Sequence, residues 1–382
     1  MIEEDIRQYI VSMRREFHMH PELSGQEEET SRRICMELER MNIPFQKVET
    51  HSVIGKLERG QGKKLAIRAD MDALPLSELT EVPWKSRNEN VMHACGHDGH
   101  MASLLGAARL LSEEKTTLNG TVYFCFQEGE EKGTGAADCV AYLQKEGGVD
   151  YAIGSHLTGV LDTGQIDLAA GTRANGAIIF FIDIQGIGGH GSRPDLSVNP
   201  VTIACETYQR LIQIPSHLHE ASKTTVISPC VVQAGSKFNI IPEQARIEGT
   251  IRFSDADDGE KLMEQVRRTA EKTAEFYGGT AQVDFEIGSK YPVINTPEEV
   301  RVGREEARQL GFEVLENPPY SASDNFSEFL HAFPGFYCMV GAKSGRPGTS
   351  GINHAPNFDI DEEALMKTSE FFAACARRFL KR

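Results

Sequence analysis

Apolar residues recur at helical spacing over residues 27–41 and 100–114, whereas Lys64–Ala69, Thr121–Phe126 and Tyr151–Ser155 form short apolar runs of strand length. Helical segments alternating with buried strands predict an α/β fold, a mixed sheet covered by helices. The run Gly120–Phe126 passes straight into Gln127-Glu-Gly-Glu-Glu-Lys-Gly-Thr-Gly, so an apolar strand ends in a charged, glycine-rich turn. In open α/β sheets, the ground just beyond a strand's carboxyl end is where ligands bind.

Near Ala169–Asn175 the pattern changes. From there to about Gly288 the spacing predicts strand Ala177–Gln185, helix Pro200–Ile214, strands Thr225–Gln233 and Ala245–Ser254, helix Gly259–Gly278 and strand Thr280–Ile287. That order, βαββαβ, is a ferredoxin-like unit complete in itself. The C-terminal stretch returns to α/β character and ends in an amphipathic helix, Glu362–Leu380. The expected organisation is a metal-binding catalytic domain made from residues 1–174 and 289–382, interrupted by an inserted domain over 175–288.

Length and charge narrow the function. A chain of 382 residues can bury its core without disulfides. The formal net charge of −16, with no block of Lys or Arg, argues against nucleic acid and anionic membrane surfaces as partners. The acidic N-terminus lacks the basic flank and apolar stretch of a secretory signal, and no apolar run approaches the about 20 residues of a membrane span. The eight cysteines include no CxxC pair. A cytoplasmic protein with reduced thiols is expected.

The densest chemistry is His93-Ala-Cys95-Gly-His97-Asp98-Gly-His100. Glycines at 96 and 99 bend the backbone, so Cys95 and His97 can converge from a loop; on a helix, residues two apart point to nearly opposite sides. A thiolate with an imidazole suits zinc, manganese or nickel without choosing among them. In Glu128-Gly-Glu130-Glu131, adjacent carboxylates after a strand point to different sides, allowing one to bind metal while its neighbour holds a water. The acidic triplet Glu27–Glu29 reads instead as a solvated helix start. In Arg68-Ala-Asp70-Met-Asp72, alternating aspartates leave a strand on one face, and one could orient a ligating histidine. His156 ends a strand and His354 sits in the turn Asn353-His-Ala-Pro-Asn-Phe-Asp. With Cys95, His97 and Glu131 they make five donors, enough for two metals sharing a bridging group and a water.

Within the insert, His190 lies among glycines, with room to approach something outside its own domain. Asn239 and Arg252 lie in or beside the central strands; the arginine could grip a carboxylate through its planar fork or pair with a neighbouring acid. His217 and His219 look like loop surface.

In this order the motifs resemble the dinuclear-metal amidohydrolases of the aminoacylase and carboxypeptidase clan, metallopeptidases in the broad sense. The branch is that of hippurate hydrolase, N-acyl-amino-acid hydrolases and auxin-conjugate (indoleacetyl-amino-acid) hydrolases. The resemblance runs nearly end to end through His20-Pro-Glu-Leu, Arg68-Ala-Asp-Met-Asp-Ala-Leu-Pro, Ala94-Cys-Gly-His-Asp-Gly-His, the Phe-Gln…Glu-Glu turn, Gly188-Gly-His-Gly, Asn239-Ile-Ile-Pro, Gly249-Thr-Ile-Arg and His354-Ala-Pro-Asn-Phe-Asp. It implies metal ligands Cys95, His97, Glu131, His156 and His354, Glu130 as general base, and Asp72 as the aspartate behind a ligand. It further implies that His190 stabilises the oxyanion, reaching across to a partner subunit's site, and that Asn239 and Arg252 hold the substrate's α-carboxylate.

The implied activity is metal-dependent hydrolysis of the amide bond of N-acyl amino acids or related small amides. Two divalent ions (manganese, zinc, nickel or cobalt) and a homodimer formed through the inserted lid domain are expected. Alternatives are a dipeptidase or carboxypeptidase of the same clan, and a non-catalytic metal- and ligand-binding homologue. The chain departs from the branch pattern at Glu128-Gly129, where relatives usually read Pro-Ala, after His156, after His190, and at Asp324-Asn325, where Glu-Asp is usual.

Overall fold

A computed structural model describes residues 3–114, 118–320 and 322–381, which divide into two compact units. The first comprises Met1–Arg173, Ile294–Pro318 and Glu328–Arg382; the second comprises Ala174–Val293 with Pro319–Ser327.

The first unit is built on an eight-stranded sheet, in the order Phe45–Val48, Ser52–Glu58, Gly120–Gln127, Lys63–Asp70, Tyr151–Thr158, Gly335–Gly341, Gln165–Asp167 and Glu313–Leu315. The four strands from Gly120–Gln127 to Gly335–Gly341 run parallel, while Ser52–Glu58 joins one side and Gln165–Asp167 the other antiparallel, so the sheet is mixed. Gly120–Gln127 is buried at every position, which is why it reads as a continuous apolar run without alternation. Helix His97–Glu113 lies almost wholly inside, against helices Glu4–Met19 and Glu363–Phe379. A Cβ at Gly106 would stand 2.4 Å from Ser369 Oγ and 2.6 Å from Ile10 Cδ1, so the absence of a side chain there permits the three-helix contact.

The second unit has a four-stranded antiparallel sheet, in the order Thr225–Ala234, Gln244–Phe253, Gly176–Gln185, Thr280–Ser289. Gln244–Phe253 alternates strictly between buried and less buried positions, the mark of a sheet covered on one face. Helices Pro200–Leu211 and Asp258–Phe276 supply the cover, sharing a core of Ile178, Phe180, Ile182, Ile247, Ile251, Leu262 and Val266. The chain order is the βαββαβ anticipated from spacing. The helix expected over Pro200–Ile214 ends at Leu211, and a short helix, Ile214–Leu218, follows. His219 is no surface residue: its ring is largely buried, with Nε2 2.8 Å from Gln265 Oε1.

Candidate metal centre

The carboxyl ends of three neighbouring parallel strands supply most of the site. Strand Lys63–Asp70 ends in Asp70 with Asp72 just beyond, strand Gly120–Gln127 leads to Glu130 and Glu131, and strand Tyr151–Thr158 carries His156. Glu130–Lys132 form a single 3₁₀ turn between Gly129 and Gly133, whose φ angles of 68° and 69° are left-handed; these glycines let the chain reverse within three residues. Gly96, at φ 91°, turns the chain directly from Cys95 into the helix that starts at His97. The loop expected around Cys95 and His97 is therefore shorter than anticipated, and the helix begins three residues before residue 100. The His354 turn is fastened to this loop by its own N–H donating to Ala94 O (2.7 Å) and by Asn353 Nδ2 donating to Cys95 O (3.0 Å).

These supports bring the donor atoms together. Cys95 Sγ lies 3.3 Å from His156 Nε2 and 3.3 Å from His354 Nε2, and His354 Nε2 lies 3.3 Å from Glu131 Oε1. Donors of His97, Glu130 and Glu131 fall within 4.8 Å of one another. The imidazoles are oriented by their other nitrogens. His156 Nδ1 donates to Leu157 O (2.7 Å), and His97 Nδ1 donates to Asp72 O (2.9 Å), which leaves each Nε2 to face the cluster. His97 Nε2 is buried and hydrogen-bonded to nothing among the described residues. A cluster of thiol, imidazole and carboxylate with an orphaned, inward-facing imidazole nitrogen is the donor set a transition metal takes.

Electrostatics agree. Burial pushes the Cys95 thiol up to about 12, so a thiolate there requires added positive charge nearby. Burial, reinforced by His100, holds His156 well below the ordinary histidine range and so neutral. Burial would likewise lower His97, but Asp70, Cys95 and Asp72 outweigh it and raise this ring well above its usual value, so without a metal it holds a proton that a bound cation displaces. Asp72 is buried and pinned: Ser24 Oγ donates to Oδ2 (2.6 Å), Glu131 N–H donates to the same oxygen (2.9 Å), and His97 Nδ1 stands 3.2 Å from Oδ1.

Residues 66–378 match Peptidase family M20/M25/M40. The chain belongs to that family. It is 36% identical over 371 residues, 96% of both chains, to N-acetylcysteine deacetylase of Bacillus subtilis. It is 34% identical over 383 residues, 98% of this chain and 96% of the relative, to thermostable carboxypeptidase 2 of Saccharolobus solfataricus. With IAA-amino acid hydrolase ILR1-like 5 of Arabidopsis thaliana the identity is 32%, over 99% of this chain and 88% of the relative. A solved structure from Bacillus subtilis, described as a dinuclear metal binding peptidase from the M20 family, superposes with a TM-score of 0.84 at 32% identity, covering 99% of both chains. The M20 chain described here is accordingly a metal-dependent hydrolase acting on amide or peptide bonds.

Of the residues singled out from sequence, the first unit gathers Cys95, His97, Glu130, Glu131, His156, His354 and Asp72. The second unit carries His190, Asn239 and Arg252. There the short strand Gly189–His190 pairs with Ile240–Ile241, and Gly191 N–H donates to Asn239 O (3.0 Å), so His190 and Asn239 share one exposed loop pair. Arg252 lies on the sheet, bonded to the Thr250 hydroxyl and to Ile251 O (3.1 Å), with no acid beside it among the described residues. Asp70 and His100 stand in the motifs singled out from sequence, Asp70 as one of two aspartates that could orient a histidine, but the resemblance gives neither a role. Asp70 receives Arg68 Nη1 (2.7 Å) and His100 Nδ1 (2.6 Å), and Leu157 N–H donates to His100 Nε2 (2.9 Å). Their signal was spacing: Asp70 is two strand positions before Asp72, and His100 is one helical turn after His97.

Proposed function

We propose that this M20 chain hydrolyses the amide bond of N-acyl amino acids, using two divalent ions held by Cys95, His97, Glu131, His156 and His354. The observation carrying the proposal is the convergence of these five side chains with Glu130 beside them, supported by the deacetylase and IAA-amino acid hydrolase relatives. The thiol and imidazole donors favour manganese, zinc, nickel or cobalt over magnesium or calcium. When bound, such ions lower the pKa of water and polarise the scissile carbonyl.

The chain's own residues supply the rest. Glu130 takes the proton of the attacking water and returns it to the leaving amine. Asp72 holds His97 and the Glu131 backbone in place so that the carboxylate pair faces the substrate. Asn239 and the acid-free Arg252 bind the substrate's α-carboxylate, and His190 donates to the developing oxyanion in the partner subunit's site of a homodimer formed through the second unit. A donor of that kind contributes about 10²–10³ in rate.

Replacing Glu130 by Gln tests the assignment: turnover is expected to fall by about 10²–10⁴ while metal content stays that of the wild type. Full activity in this variant would contradict it. The carboxypeptidase relatives favour a second reading, cleavage of a C-terminal residue from short peptides. A panel of N-acetyl, N-benzoyl and indoleacetyl amino acids against dipeptides, assayed with manganese-, zinc- and cobalt-loaded protein, separates the two. The proposal expects acyl amino acids to be preferred.

A further inference from the structure

A second cluster of ligand-type side chains lies in the first unit, apart from the five donors above. Glu27 precedes helix Glu28–Arg40, His51 sits in the turn between strands Phe45–Val48 and Ser52–Glu58, and Glu128 follows strand Gly120–Gln127. One donor atom from each lies within 4.8 Å of the other two. Glu27 is fully buried: Oε1 accepts from Gly129 N–H (2.8 Å), while Oε2 has no hydrogen-bond partner. Glu128 is also buried, and its Oε1 accepts from the backbone N–H of His51 (3.1 Å), which holds the histidine's turn against the acids.

Two carboxylates buried side by side, one with an orphaned oxygen, leave negative charge without compensation. No Lys or Arg pairs with either among the described residues. Burial, with Asp72 and Glu128 adding to it, pushes Glu27 up to about 7, and Asp138 on the adjoining helix is raised by burial and by Glu49 and Glu128. The cluster is short of positive charge.

We propose that Glu27, His51 and Glu128 bind a divalent transition-metal cation at a site distinct from the Cys95 centre. Two carboxylates and one imidazole make a three-ligand oxygen and nitrogen set, suited to zinc, manganese or cobalt and leaving a position for water. The third ligand is this chain's own: Glu128 stands where the branch pattern has proline, which has no side-chain donor. The cation ties the start of helix Glu28–Arg40 and the turn at His51 to the backbone that opens the Glu130–Glu131 turn.

The test does not depend on the amidohydrolase reading, because it compares chains differing only at one of these positions. Full-length protein is stripped with chelator and titrated with cobalt(II), and bound cobalt is counted by elemental analysis after desalting. The thiolate-to-cobalt absorption band reports the Cys95 centre separately, since the proposed site contains no sulfur. The wild type is expected to hold one equivalent more than Glu128→Gln or His51→Gln, with the band equal in all three. Equal cobalt content in all three, as expected if Glu27 and Glu128 merely share a proton, would overturn the proposal. So would a loss of cobalt that takes the band with it. His51 is only half-buried, so its variant carries the comparison if Glu128→Gln does not fold.

Discussion

Asp72 is the residue on which the centre's geometry turns, because one carboxylate holds the His97 ring, the Glu131 backbone and Ser24 at once. Asp72→Asn keeps the shape but weakens acceptance from His97, and metal affinity is expected to drop about 10–100-fold in competition with a chromogenic chelator. Further in, His18 is buried between Asp98 Oδ2 (2.8 Å) and Glu78 Oε1 (3.2 Å). Burial and Arg14 push its pKa down, but the two acids more than offset them and raise it. The folded state thus binds a proton more tightly than the unfolded chain, whose histidine titrates near about 6.5. The stabilisation is complete below that pH and is lost as pH rises through the folded-state value. In urea denaturation the advantage of wild type over His18→Gln should shrink as pH rises above neutrality; an advantage that widens would refute the charge assignment. Single residues were legible in sequence where their neighbours announced them, as Cys95 and His97 do around a glycine. Glu27 was misread as solvated because its burial depends on Gly129, 102 residues away, and no local pattern encodes that contact.

Elements were legible by period and missed at their ends. Strand Gln244–Phe253 alternates and helix Glu363–Phe379 keeps an apolar face, so both stood out. The start of helix His97–Glu113 did not, because nearly every position in its first turns is buried and no polar face marks its phase. What sets that start is Gly96, whose left-handed φ would strain any side-chain-bearing residue by about 1–2 kcal/mol. Gly96→Ala should lower stability by about that amount in urea and weaken metal binding, since Cys95 and His97 flank the bend. Unchanged stability with unchanged affinity would mean that the bend does not position these donors.

At the scale of the whole molecule, the resemblance legible from end to end in the motifs is matched by family membership and by a related structure covering 99% of the chain. What motifs could not convey is the substrate, since His190, Asn239 and Arg252, the residues proposed to bind it, are individually unremarkable side chains on a sheet and its loops. If His190 acts in the partner subunit's site, two inactive chains should complement each other. Mixing Glu130→Gln with His190→Ala under conditions of subunit exchange then restores part of the wild-type rate, because one site of the mixed dimer has both groups intact. Persistent inactivity after proven exchange would place His190 in the site of its own subunit. Amide hydrolysis at the Cys95 centre is put to the test by removing all metal and adding back manganese, zinc or cobalt stepwise while following N-acyl amino acid cleavage. No turnover is expected in the stripped protein, with a rate that climbs as the centre fills; full turnover without metal would refute a metal-dependent reaction.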